Sequence, residues 1–232
     1  MTTSPTVTPA TAPVTAPTAP DSARERLLQA GLHLFAQRGY SQTSTRELAE
    51  AAHVNVAAIS YYFGDKAGLY RAVFFGPSGS PEEDVARFAD PALGLPDALR
   101  GFYQGFLEPL RQSDDARLCT KLHFREILEP TGLWDEQLAH GIRPMHDALV
   151  ALLQRHLGLP EADDELHALA ICLTAPGVHL HVAHDITARL APALQQGSDA
   201  IDRWSDRLVR LGVAMVEAER ARRAATNEVK TS

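Results

Sequence analysis

Apolar residues recur at helical spacing over most of this chain, and no stretch keeps the strict alternation that a half-buried strand needs. The first run begins near Ser22, turns Leu27, Leu28, Gly31, Leu34 and Phe35 inward, and stops at Gly39, a natural helix C-terminus. Two short runs follow. Leu48, Ala49 and Ala52 mark the inner face of one, and Ile59 and Phe63 that of the other. Thr43, Ser44 and Thr45 crowd the start of the earlier run, where Ser44 and Glu47 fit a capping box, and Asn55 can cap the later one. His53 stands where the chain must turn. A non-glycine residue there has to take a positive φ, which histidine tolerates better than most. This is the pattern of a helix-turn-helix.

A connecting helix starts at 66–75 and is broken at 76–81 and again at 89–96. Further helical runs cover 96–111, 116–128, 133–157, 163–190 and 198–225, so the expected fold is all-α. Pro109, Pro144 and Pro176 should end or kink their helices. Pro176-Gly177, in the middle of an apolar run, is expected to open space between helices. In the last run Ile201, Trp204, Leu208, Leu211 and Met215 form one stripe and Val209, Val213 and Val216 a second. A helix apolar on two faces must bury both, one in its own core and one against a partner. The first stripe is therefore the expected dimer interface.

Chemistry sharpens the picture at the short helices. Val56, Ala57, Ala58 and Ser60 are small enough to let a helix backbone approach the floor of a DNA major groove, with Tyr61 and Tyr62 beside them. Lys66 and the hydroxyls of Thr45 and Tyr62 suit phosphates, which position a protein without specifying sequence. The net charge of −7 argues at first sight against nucleic acid, but residues 21–75 are nearly balanced and the acidity lies in the remainder. Such a head implies modest non-specific affinity and little steering.

Residues 24–69 as a whole resemble the N-terminal domain of TetR-type transcriptional regulators. The likeness rests on the Leu34-Phe35 pair, the Gly39-Tyr40 stop, the run from Ser44 to Ala49 and the ending from Phe63 to Leu69. This chain departs from the usual pattern at two positions: His53 replaces a common glycine, and Ser60 a common tyrosine, whose contact Tyr61 or Tyr62 would have to replace. The wording around 54–70, and more loosely 125–149, resembles the subgroup with a CecR-type C-terminal domain. The resemblance implies a three-helix DNA-binding head at 21–75, with Ser44, Thr45 and Arg46 at the DNA and Arg46 able to reach a guanine edge. It implies a hinge region after it, and a helical body at 76–225 that binds a ligand and dimerises through its last two long helices. The flanks 1–20, rich in Thr, Pro and Ala, and 226–232 are expected to be disordered.

It also implies a pocket in the body. Phe102, Phe106, Phe124, Met145 and Val178 would supply apolar wall, and His123, Glu126, His146 and His179 converging polar groups. The implied partners are operator DNA, a second copy of the chain and a small apolar or aromatic effector, and the implied targets are efflux or transport genes. No cofactor is called for. His181 and His184 have the spacing of a helical metal pair, but no HExxH or Cys-rich spacing accompanies them. Cys119 and Cys172 suit a reducing cytoplasm and are expected to be buried and inert. No segment has the length of apolar sequence a membrane helix needs, and the N-terminus lacks the pattern of a signal peptide. Two other readings stay open: a constitutive DNA-binding protein without effector, and a helical enzyme. For the enzyme, no Ser/His/Asp order, phosphate-cradling loop or paired-carboxylate motif stands out.

Overall fold

The computed structural model describes residues 22–76, 81–111 and 114–231, all without strands. The expectation for the tail at 1–20 lies outside them. Helix α1 (Ala23–Arg38) begins at a capping box. Ser22 Oγ accepts from the Glu25 amide at 3.2 Å, and the Glu25 carboxylate accepts from the Ser22 amide at 3.0 Å. Helices α2 (Thr45–Ala51), α3 (Ala57–Phe63) and α4 (Lys66–Phe75) follow at the expected places. Leu27, Phe35, Leu48, Ile59, Leu69 and Phe74 close a core among the four.

The body comprises α5 (Pro81–Ala86), α6 (Leu95–Arg111), α7 (Asp114–Leu128), α8 (Trp134–Gln137), α9 (Arg143–Leu157), α10 (Asp164–Val182), α11 (His184–Leu190) and α12 (Ala200–Thr231). Its core is built on Leu99, Phe102, Tyr103, Leu149, Leu153 and Leu173. Helix α12 lies along α6, and Arg223 clamps it to α10 with two bonds to Asp163 at 2.7 and 2.8 Å. Asp163 also caps α10 by accepting from the Leu166 amide at 2.9 Å. Because α12 runs to Thr231, the expected disordered end at 226–232 is corrected: 226–231 are helical.

Two prolines act differently from expectation. Ahead of Pro144 the helix widens into a π-helical turn, Leu138–Ile142, and so continues from α8 into α9 past a residue that has no N–H to give. Pro176 leaves α10 running to Val182, and the break falls at Ala183, where α11 turns away by 79°. No space opens at Gly177 either. A Cβ there would lie 2.7 Å from Cγ of Phe106, so the glycine lets α6 close in and the Phe106 ring takes the room.

The two cores do not divide at residue 75. Leu122 of α7 is fully buried in the core of the head, with Leu118, Cys119 and Leu133 packed around it. The head is completed by a helix from the body, and α7 also packs against α6 and α10.

Candidate nucleic-acid interface

The turn between α2 and α3 is held by backbone bonds and one unusual dihedral. His53 takes φ 53°, its amide reaches the Glu50 carbonyl at 3.1 Å, and the Val54 amide the Ala49 carbonyl at 3.0 Å. Asn55 Oδ1 accepts from the Ala57 amide at 2.9 Å and caps α3. Ile59, 1 % exposed, pins the inner side of α3. That orientation presents Val56, Ala57, Ser60, Tyr61 and Tyr62 outward, with Tyr61 80 % exposed and set edge-on to Tyr62 at 4.8 Å. Helix α3 carries no charged side chain, so whatever it meets is met by methyls, hydroxyls and aromatic rings. Ala58 is the exception among the nominated residues: it is half-buried against the head core.

On α2, Ser44 is spent on its capping box. Its hydroxyl accepts from the Glu47 amide at 3.2 Å, while its own amide, at 2.9 Å, and its hydroxyl, at 2.8 Å, donate to the Glu47 carboxylate and hold that carboxyl below the usual range. Thr45 is half-buried. Arg46 is exposed and paired with Glu50, one turn on, at 2.9 Å. An exposed pair of this kind is worth little in water, so Arg46 is available to a stronger acceptor.

Lys66, expected at a phosphate, is also engaged within the head. Its ammonium donates to the carbonyls of Tyr40 and Thr43, both at 3.0 Å, and lies over the Tyr40 ring. Two of its three protons close the corner between α1 and α2.

The expected ligand residues do not converge. Phe102 is buried in the body core, Phe106 packs against it at 5.4 Å, and Met145 packs on the same core. His123 faces the head instead: its ring lies 4.3 Å from that of Phe74, and Nδ1 donates to the Cys119 carbonyl at 2.8 Å. Burial lowers its pKa. Glu126, 1 % exposed, bonds to Tyr70 of α4 and is part of the head–body joint rather than of a chamber. Phe124 neighbours His181, whose Nε2 donates to the Phe106 carbonyl at 2.6 Å. His146 is hydrogen-bonded to His167 at 2.9 Å, while His179 is exposed on α10. The His184 ring Nδ1 lies 3.4 Å from Gln195 Nε2, so both rings of the metal-like pair have other partners.

The expected dimer stripe is corrected in the same way. Leu208 is 2 % exposed within a single chain, and Ile201, Trp204 and Met215 pack on that chain's core. Only Leu211 faces out, 51 % exposed. The exposed apolar face lies next door, on α10 and α11: Ile171 is 62 % exposed, and Val182, Ile186 and Leu190 are comparably open. Cys172 belongs to this face and is exposed, contrary to the expectation of a buried thiol. The available signal was that α10 is apolar around its whole circumference, which calls for burial on every side.

An all-α chain with a capped helix-turn-helix head and a larger helical body has the architecture of a helix-turn-helix protein. Residues 27–73 match the profile of the bacterial regulatory proteins of the TetR family. Residues 95–218 match that of the C-terminal domain of the HTH-type transcriptional dual regulator CecR. The chain belongs to the TetR family and carries a CecR-type C-terminal domain; it is a regulator of transcription and not an enzyme. The CecR dual regulator of Shigella flexneri is 31 % identical over 164 residues, 64 % of this chain and 73 % of that one. The repressor AcnR of Corynebacterium glutamicum is 32 % identical over 87 residues, 37 % of this chain and 43 % of that one. Among solved structures, a TetR-family regulatory protein from Rhodococcus RHA1 has a TM-score of 0.62 at 21 % identity, covering 85 % of this chain and 98 % of that one. The hemolysin II regulator HlyIIR has a TM-score of 0.57 at 22 % identity, over 82 % and 96 %. These structural likenesses speak for the fold.

Proposed function

We propose that this protein is a homodimeric repressor that binds operator DNA through α3 and is released by a small apolar or aromatic effector. The observation that carries the DNA reading is the outward, uncharged face of α3, held by Ile59 beneath it and by the Asn55 cap before it. Val56 and Ala57 suit thymine methyls, Ser60 a base edge, and Tyr61 and Tyr62 the flanking backbone. Arg46 adds a guanine reader from α2. Two-fold pairing through the exposed face of α10 and α11, with Leu211 of the adjacent α12, would bury apolar surface that is costly to leave in water. It would also set two copies of α3 on one side of a duplex. The site of action is then the cytoplasm, with efflux or transport genes as the regulated class.

A constitutive operator-binding protein is the second reading. It is favoured by Phe102, Phe106 and Glu126, which are packed or hydrogen-bonded rather than gathered around one cavity. Selection of fragments from genomic DNA by the purified chain tests the operator reading and identifies neighbouring genes. A thermal-shift screen of aromatic metabolites, dyes and antibiotics, followed by operator release with each hit, separates the two readings. A compound that must shift the equilibrium has to bind the DNA-free arrangement better than the DNA-bound one.

A further inference from the structure

We infer that the hydrogen bond between Tyr70 and Glu126 fixes the angle between head and body, and thereby sets the half-site spacing that the protein accepts in its operator. The inference rests on the operator-binding dimer proposed above.

The last turn of α7 reaches two separate helices of the head. Arg125 donates to the carbonyls of Gln37 and Arg38 at 3.4 and 3.2 Å, where a cation meets the negative end of α1. Glu129 holds the same guanidinium at 3.0 and 3.1 Å. The next residue, Glu126, is the buried carboxylate among the described residues. It accepts from the Tyr70 hydroxyl at 2.9 Å, from the amides of Thr131 and Leu133 at 2.7 and 3.2 Å, and from the Thr131 hydroxyl. Three of these donors come from the body's own turn after α7. The head supplies Tyr70.

A buried carboxylate needs its donors, and it needs them at hydrogen-bond geometry. Contacts such as that of Leu122 with the head core are non-directional and tolerate sliding. The Tyr70–Glu126 bond does not, because turning the head about α4 would leave the carboxylate a donor short. The hydroxyl is also firmly placed: the Tyr70 ring stands edge-on to Phe35 at 5.0 Å and to Tyr40 at 5.1 Å. Burial and the adjacent carboxylate push its pKa well above that of a free tyrosine, so it remains a donor. Rigid coupling therefore runs from α3 through α4 and Tyr70 to Glu126, α7 and the body. In a dimer joined through its bodies, such coupling sets the separation of the two copies of α3. One inserted base pair moves the second half-site by about 3.4 Å and turns it by roughly a tenth of a helical turn. A fixed head cannot follow that displacement.

The test uses the full chain and a duplex selected from a random-sequence pool by the wild-type protein, with the spacer between half-sites then shortened or lengthened by one base pair. Wild type, Tyr70→Phe, Glu126→Gln and Thr120→Val are compared. For Tyr70→Phe and Glu126→Gln, the preference for the selected spacer over the altered ones should fall about fivefold or more, the loss expected when one such bond no longer discriminates. Thr120→Val removes a hydroxyl bond made within α7, to the Ala116 carbonyl, that touches neither Tyr70 nor Glu126, and should leave the preference unchanged. Equal weakening at every spacing in both latch variants, or a wild type indifferent to spacing, overturns the inference and leaves the operator reading standing. Should Tyr70→Phe not fold, Glu126→Gln decides by the same readout, since a carboxamide offers one accepting oxygen in place of two. A wild type that selects no duplex overturns the operator reading itself, and this inference with it.

Discussion

The ammonium of Lys66 lies 4.1 Å from the centre of the Tyr40 ring and donates to the Tyr40 carbonyl at 3.0 Å, with the Thr43 carbonyl at the same distance. A cation so placed satisfies the chain ends around α1 and α2 and sits on an aromatic face. Two of its three protons are taken up inside the head.

Lys66→Ala should accordingly destabilise the head by about 1–3 kcal/mol, the cost of losing two charge-assisted bonds to partly buried carbonyls. Thermal unfolding checks the size. Operator binding measured over a range of salt should keep its slope, since a lost phosphate contact would instead reduce that slope by about one.

Arg46→Ala should weaken binding at one operator position by about 1–3 kcal/mol and leave other positions nearly untouched. Its partner Glu50 is exposed, so removal should cost little stability. A library of single-base operator variants, with a melting curve alongside, reads both effects.

The two faces of α12 and its neighbour give opposite outcomes. Leu208→Glu buries a charge in the body core and should cost several kcal/mol, unfolding much of the chain. Ile171→Glu with Leu211→Glu alters exposed positions and should leave the fold intact while producing monomers with weakened operator binding. Sedimentation and thermal melting distinguish the cases; a monomeric wild type at micromolar concentration would remove the basis for this pairing.

Stability should fall as pH drops below about 6.5. Burial lowers the pKa of His123, His146, His156 and His181 from their ordinary value of 6.5. Between the folded and unfolded values the unfolded chain binds more protons, so unfolding becomes easier with each step down in pH. The contribution is complete above 6.5 and is lost through the depressed folded values. Further acid then reaches Glu47, Glu219, Asp163 and Asp199, whose hydrogen bonds hold their carboxyls low. Their share is present above the ordinary carboxylate range and disappears beneath it. Denaturant titrations from pH 8 to pH 3 measure the slope, and a flat profile between 7 and 5 contradicts the histidine part.

Local signals were legible in the sequence because their causes are local. Ser22 with Glu25 and Ser44 with Glu47 form boxes three residues long, His53 adopts its positive φ within one turn, and Asn55 caps two residues ahead. An amphipathic period likewise placed the helices of the head and most of those in the body. What it left undecided was which apolar stripe meets which neighbour. Leu208 faces the core and Leu211 the solvent because α12 lies along α6, a relation between residues more than a hundred positions apart. Glu126 has the chemistry of a polar group for a ligand, but α7 enters the head, where Tyr70 meets it. Lys66 reaches back to the Tyr40 and Thr43 carbonyls because α4 packs beside the corner between α1 and α2. Periodicity records that a face must be buried, and side-chain chemistry that a polar group must be paired; only the packing of distant helices chooses the partner, since that choice depends on the whole set of surfaces competing to leave water.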